Sequence, residues 1–192
     1  MAEKRRGELV VISGPSGSGK STVLKMLQSK SPIELKASVS ATTRPPRQSE
    51  VDGVDYHFIS EEEFKRRQKR GDFLESFQVF ESGHLYGTLE EEVTPSLDAG
   101  KWVVLEIDVQ GAIEVMKRYP EAITIFVHPG SVEELATRLR GRATESEGAI
   151  GERLARAKKE LEFANRYRYQ IVNDDLDRAV REVCDILSLA KG

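Results

Sequence analysis

The stretch Gly14-Pro-Ser-Gly-Ser-Gly19-Lys20-Ser21 constrains this chain more than any other part of it. It follows the β-rich apolar run Leu9–Ile12 and opens a helix-patterned segment, Ser21–Ser29. A strand running through a glycine-rich turn into a helix, with G-x-x-x-x-G-K-[ST] across the turn, is the setting of a phosphate-binding loop. Glycines let the backbone wrap so that successive N–H groups aim at one anion, and the helix N-terminus adds its dipole. At these positions Lys20 is expected to reach the β- and γ-phosphates of a nucleoside triphosphate, and the Ser21 hydroxyl to hold Mg2+. The candidate triphosphate ligands are therefore Gly14, Pro15, Ser16, Gly17, Ser18, Gly19, Lys20, Ser21 and Thr22.

Around this loop the chain alternates in period. Strand-like runs occur at 37–41, 56–59, 73–80, 102–107, 122–127 and 169–172. Helical patterns fall at 61–70, 89–99, 112–118, 132–140, 150–165 and 177–189. Val103-Val104-Leu105 and Ile123-Thr-Ile-Phe-Val127 do not alternate, as expected of strands buried on both faces. The expected fold is α/β, a central parallel sheet flanked by helices. Residues 36–90 break the rhythm, with close-set strands and one helix, and read as a mostly β insert. Residues 138–156 are rich in Arg, Gly and acids.

Composition narrows the function classes. With 192 residues and a net charge of −3, neither duplex nucleic acid nor an anionic membrane is an expected partner. The single Cys184 cannot form an internal disulfide, and its spacing from Val180, Val183 and Leu187 suits a core position. Leu9–Ile12 is too short for a signal-peptide core or a membrane helix, so a cytoplasmic location is expected. The basic run 65–70 closes a helix that begins Glu61-Glu62-Glu63, a pattern that complements the helix dipole. His57, His84 and His128 lack zinc-ligand spacing. Monomer and homo-oligomer are both compatible with the sequence.

Two further groups carry chemistry. Glu106 and Asp108 end the apolar run Trp102–Leu105 two residues apart, so both can face one cleft, although Asp108 could instead cap the following helix. Arg44 and Arg47 flank Pro45-Pro46, and rigidly held guanidinium forks suit a phosphate.

The loop, together with Ser-x-Thr-Thr-Arg-x-Pro-Arg (40–47), Gly-x-Asp-Tyr (53–56), Phe-Leu-Glu (73–75), Tyr-Gly-Thr (86–88), Glu-Ile-Asp-x-Gln-Gly (106–111), Leu-x-Gly-Arg (139–142) and Val-Asn-Asp-Asp (172–175), resembles the guanylate kinase family over nearly the whole chain. The resemblance implies transfer of the γ-phosphate of ATP to GMP, and to dGMP, with Mg2+. It implies that Arg44, Arg47, Tyr56 and Tyr86 hold the GMP phosphate, that Ser40, Glu75 and Thr88 contact guanine, and that Glu106 and Asp108 lie on the GMP side, Asp108 next to the metal. It also implies a GMP-binding insert at 36–90 and a mobile lid at 138–157 over ATP. The core would comprise 1–35, 91–137 and 158–192. Arg142 and Arg153 would then stand near the transferring phosphate, and Arg138 and Asn173 near adenine. Lys20, Arg44, Arg142 and Arg153 are the expected catalytic cations. Leu85 stands where a second Tyr is common in the family, and the segment between Glu75 and Tyr86 is slightly longer than usual.

The chemistry of guanine fits these roles. Its Watson–Crick edge offers N–H donors at N1 and the 2-amino group, and an ionised Glu75 can accept from both. Adenine would leave that carboxylate unpaired. The acceptor is already an anion, so charge neutralisation matters more than a general base. Gly148 and Gly151 weaken a local helix by ~1 kcal/mol each relative to Ala, as suits a segment that orders on closure. The rival readings are a non-catalytic guanylate-kinase-like interaction module, which typically loses the loop Lys or acceptor residues, and a phosphate-loop kinase for another acceptor.

Overall fold

The computed structural model describes residues 5–79, 83–140 and 147–191. The chain runs through β1 (Leu9–Ser13), α1 (Lys20–Lys30), β2 (Leu35–Ala37), β3 (Ser40–Thr42), β4 (His57–Phe58), α2 (Glu61–Arg70), β5 (Phe73–Gln78), β6 (Leu85–Leu89) and α3 (Glu90–Asp98). It continues through β7 (Trp102–Glu106), α4 (Val109–Arg118), β8 (Ile123–His128), α5 (Val132–Arg140), α6 (Glu147–Leu161), a 3-10 turn (Ala164–Arg166), β9 (Tyr169–Val172) and α7 (Leu176–Lys191). One sheet has the order β2-β7-β1-β8-β9 and a second the order β4-β3-β6-β5. The fold is α/β, a central parallel sheet flanked by helices, as the non-alternating apolar runs predict. Among the described residues, no helix is long and apolar enough to cross a membrane.

The chain divides into two compact units, one of Met1–Leu9, Lys36–Leu105 and Gln110–Ala122, the other of Val10–Leu35, Glu106–Val109 and Ile123–Gly192. In the second, β8 pairs in parallel with β1, Val10 opposite Ile123, and with β9, Val127 opposite Ile171. Val10, Val11, Ile12, Ile125, Phe126 and Val127 are fully buried. At ~1.5–3 kcal/mol per fully buried large aliphatic or aromatic side chain, these strands anchor the unit and fix the place where β1 ends. α5 and α6 share a cluster of Leu135, Leu139, Ile150 and Ala157. On α7 the buried stripe is Ala179, Val180, Val183 and Leu187. Cys184 flanks that stripe half-buried, its thiol 3.7 Å from the Lys30 carbonyl and its pKa raised by burial, which makes it a poor nucleophile.

In the first unit, β6 is antiparallel to both β3 and β5. Leu85 and Leu89 point to one face of β6 and join Ala41, Phe64 and Phe73 in a core, with Phe64 and Phe73 stacked at 4.4 Å. Leu85 thus fills a core position, and a tyrosine hydroxyl there would need a buried partner. α2 forms where acids lead and bases follow. The Ser60 hydroxyl accepts from Glu63 N–H at its start, and Gly71 closes it in the left-handed region.

Five local expectations change. The single strand expected at 37–41 is two, because Ser38 N–H bonds the Val104 carbonyl at 3.0 Å and the chain switches sheets before Ser40. β6, absent from the expected strands, forms because pairing on both sides outweighs its central glycine. The strand expected to reach Phe80 ends at Gln78, and Phe80 lies outside the described residues. α4 begins at Val109 rather than Ala112, and α6 at Glu147 rather than Ile150, so Gly148 and Gly151 lie within a helix. Packing of Ile150 and Ala157 on α5 offsets their low propensity.

Candidate active site

The second unit carries the loop between β1 and α1. Gly14 has φ +141, and a Cβ there would sit 2.0 Å from the Val127 carbonyl oxygen. Gly19 caps α1 at φ +90, and a Cβ there would lie 2.4 Å from Asn173 Nδ2. Lys20 Nζ folds back over the loop, donating to the carbonyls of Gly14 at 2.8 Å and Pro15 at 3.1 Å. A cation held by two carbonyl dipoles can move onto a phosphate without crossing a strong ion pair.

Several side chains brace this loop. Asn173, buried, donates from Nδ2 to the Ser18 carbonyl at 2.8 Å, and its own N–H bonds the His128 carbonyl at 2.8 Å. Arg138 reaches the Asn173 carbonyl at 2.5 Å, the Ser18 carbonyl at 3.5 Å and the Glu134 carboxylate. Arg153 Nη2 donates to Ser16 Oγ at 2.8 Å. Thr22 N–H bonds the Gly19 carbonyl at 3.1 Å in the first turn of α1. Arg142 lies outside the described residues.

The paired acids end differently. Ser21 Oγ donates to Glu106 Oε1 at 2.5 Å, whereas Asp108 Oδ2 meets Arg156 Nη2 at 3.3 Å. Arg156 Nε also donates to Glu160 at 2.9 Å. Burial raises the pKa of Glu160 against the pull of Arg156, with Asp108 pushing it the same way as burial. Burial likewise drives the nearby Tyr167 phenol up to about 12. Sequence reasoning missed Glu160. Its i,i+4 spacing from Arg156 on a helical pattern was the available signal. Among the described residues no group of three or more His, Cys, Asp or Glu is arranged to hold a metal.

The first unit carries the other expected group. Ser40 lies opposite Thr88, and Thr88 opposite Glu75, across three neighbouring strands. Directly opposed residues share a face, so the three form one row. Thr88 Oγ1 donates to Glu75 Oε1 at 2.7 Å, with both side chains buried. Tyr86, two residues before Thr88, shares that face, opposite Thr42 and Phe77.

Arg44 joins this face from the loop after β3. Its Nε donates to Tyr86 Oη at 3.2 Å, Nη1 to the Pro45 carbonyl at 2.8 Å and Nη2 to Glu50 at 2.9 Å. The guanidinium carbon lies 5.6 Å from the Tyr56 ring centre and 5.7 Å from that of Phe58, within cation–π reach. Tyr56 meets Tyr86 edge-on at 5.9 Å. The Arg47 side chain is 76% exposed, and its backbone N–H bonds Glu50 at 2.8 Å. Glu50 therefore fixes both ends of the Arg44–Arg47 turn. Its pKa is lowered by the Arg44 hydrogen bond, and that of Arg44 is raised by the same contact. The sequence reading passed over Glu50, although an acid three residues after the second Arg was there to be weighed.

The second unit thus carries a glycine-rich strand-to-helix loop with its lysine and serine, and the first unit a side-chain face with Arg44, Tyr86 and a buried Glu75. The family model described as Guanylate kinase matches residues 6–190. Guanylate kinase of Rhodopirellula baltica is 55% identical over 94% of this chain and 87% of its own length. That of Caldanaerobacter subterraneus is 49% identical over 100% of this chain and 91% of its own. Among solved structures, guanylate kinase from Anaplasma phagocytophilum superposes with TM-score 0.76 at 32% identity, covering 97% of this chain and 87% of that one. Shikimate kinase from Bacteroides thetaiotaomicron, at 16% identity and TM-score 0.51 over 94% of this chain and 98% of that one, shares the fold alone. By family model, sequence and structure together, this chain belongs to the guanylate kinase family.

Proposed function

We propose that the chain transfers the γ-phosphate of ATP to GMP, and also to dGMP, by direct phosphoryl transfer, yielding ADP and GDP or dGDP. The observation that carries the reading is the row Ser40–Thr88–Glu75 on the face that also bears Arg44 and Tyr86. A carboxylate buried beside a hydroxyl suits the N1–H and 2-amino donors of guanine, and the cation beside a phenol suits its 5′-phosphate. Arg44 and Arg47 with Tyr56 and Tyr86 hold that phosphate, while Ser40, Thr88 and Glu75 read the base. Residues 36–90 serve as the GMP-binding insert and 138–157 as the lid, the remainder being core.

The loop Gly14–Thr22 receives the ATP phosphates, and Lys20 exchanges the Gly14 and Pro15 carbonyls for phosphate oxygens. Arg138 and Asn173 keep the loop in shape below the adenine side. Mg2+ fits at Ser21, because a hydroxyl that donates its proton to Glu106 turns oxygen lone pairs outward for a hard cation. Asp108 is the second candidate oxygen ligand. When bound, the ion neutralises charge on the β- and γ-phosphates. An oxygen of the GMP phosphate attacks the γ-phosphorus, and the bond to the β–γ bridging oxygen breaks, leaving ADP. Lys20, Arg44, Arg142 and Arg153 offset the negative charge, and no protein base is required. Lys20, Ser21, Arg44, Arg47 and Glu75 are all present, which argues against a non-catalytic interaction module. A cytoplasmic setting suits these soluble substrates.

Coupled ADP release measured with GMP, dGMP, AMP, CMP and UMP tests the reading. Turnover is expected with the two guanine nucleotides, and equal turnover of AMP would overturn it. Glu75→Gln is expected to lower kcat/KM for GMP by about 10³-fold, near the cost of losing a matched hydrogen-bond acceptor, while KM for ATP stays within twofold.

A further inference from the structure

Gly111 stands in the third position of α4, and its φ lies outside the left-handed range. Backbone conformation therefore gives no reason for glycine there. In a helix, Gly costs ~1 kcal/mol relative to Ala. The surroundings supply the reason. A Cβ at this position would lie 2.6 Å from Glu75 Oε2, 3.0 Å from Glu75 Cδ and 3.5 Å from a ring carbon of Phe77. Glu75 is only 4% exposed, and its other oxygen accepts from Thr88 Oγ1 at 2.7 Å. The carboxylate is thus set between a hydroxyl on β6 and a bare Cα on α4.

We propose that Gly111 is a positioning residue for Glu75, the absent Cβ being the space that the base-reading carboxylate occupies. The inference rests on the reading of Glu75 as the guanine acceptor. A methyl group at 111 meets the far end of a flexible side chain, so the fold can absorb it by moving the carboxylate. Restoring ordinary van der Waals contact requires a shift of roughly an ångström. A displacement of that size in a recognition group can cost about 10²-fold in rate. The effect should therefore fall on GMP and not on stability or ATP.

The experiment compares Gly111→Ala, Glu75→Gln, Glu75→Asp and the Glu75→Asp/Gly111→Ala pair by steady-state kinetics and thermal melting. For Gly111→Ala we expect kcat/KM for GMP to fall about 10- to 100-fold, KM for ATP to stay within twofold, and Tm to hold or rise. Shortening the acid removes the clash, so the double variant should lose less than the product of the two single losses. Unchanged GMP kinetics in Gly111→Ala, with Glu75→Gln impaired, would overturn the role of Gly111. So would a multiplicative double variant, or a joint loss of Tm and ATP affinity, which would mark a merely structural glycine. An unimpaired Glu75→Gln would instead remove the guanine reading on which the inference stands.

Discussion

In the second unit, the proposed phosphate site is built from backbone. Gly14 and Gly19 hold conformations closed to most side chains, Asn173 and Arg138 support the Ser18 carbonyl, and Lys20 rests on the loop's own oxygens. In the first unit the proposed recognition groups are side chains: Arg44 clamped by Tyr86, Pro45 and Glu50, and Glu75 held by Thr88. A backbone cradle grips any phosphate of the right shape and says nothing about the base. A side-chain face can distinguish one base from another, at the cost of ordering long polar groups. The two surfaces should therefore fail differently, the first through strain and the second through chemistry.

Gly14→Ala should give the largest effect. The new methyl would lie 2.0 Å from a main-chain oxygen of a fully buried strand residue, so no side-chain rotation relieves it. With backbone strain added, a loss of about 3–5 kcal/mol is expected. For a chain of this size that lowers Tm by roughly 10 °C, and KM for ATP should rise with it. A variant that melts like the parent and keeps its ATP affinity would break the comparison.

Arg44→Met is the matching cut on the other surface. Methionine fills much of the slot between Tyr56 and Phe58 but donates nothing. KM for GMP should rise by about 30- to 100-fold, the scale of losing a charge-assisted pair, while KM for ATP stays within twofold. Tm should fall by no more than about 3 °C. An unchanged KM for GMP removes Arg44 from the phosphate site. A Tm loss as large as that of Gly14→Ala would erase the distinction between strain and chemistry.

The two surfaces were also unequally legible in the sequence. The cradle is contiguous, so spacing alone exposes Gly14 to Ser21 together with its flanking strand and helix. The acceptor face is assembled across strands, and single-sequence periodicity misses β6 because Gly87 interrupts a five-residue strand. Ser40, Glu75 and Thr88 were found through family motifs, and only the register of β3, β6 and β5 sets them in one row. Asn173 and Arg138 were expected at adenine, and their contacts with the Ser18 carbonyl depend on β9 and α5 meeting the loop in space. Glu50 and Glu160 carry no motif. Each matters through an arginine it holds, a relation that spacing suggests only after the arginine's own position is known.

Glu50 offers the finest test, because it acts on the proposed acceptor face through the two hydrogen bonds it accepts, one from Arg44 and one from the Arg47 backbone. Its pKa is depressed chiefly by the hydrogen bond from Arg44, with burial opposing. A carboxyl whose folded pKa lies below its unfolded value stabilises the fold fully above the unfolded value, near 4.5, and loses that contribution as pH falls through the folded one. The Arg44–Glu50 contact therefore persists through neutral pH and fails only in acid. Glu50→Gln keeps the size, removes the charge and leaves one acceptor oxygen where the carboxylate has two. At pH 7.5 it should raise KM for GMP about fivefold, the equivalent of ~1 kcal/mol from weakening one charge-assisted hydrogen bond. The Tm gap between parent and variant should be present at neutral pH, begin to shrink as pH drops below 4.5, and close only as pH falls through the depressed folded value, where the parent's own carboxyl is neutralised. A gap that stays constant through that range would mean that Glu50 contributes shape rather than charge, and that the side-chain surface is, at this one point, built like the cradle.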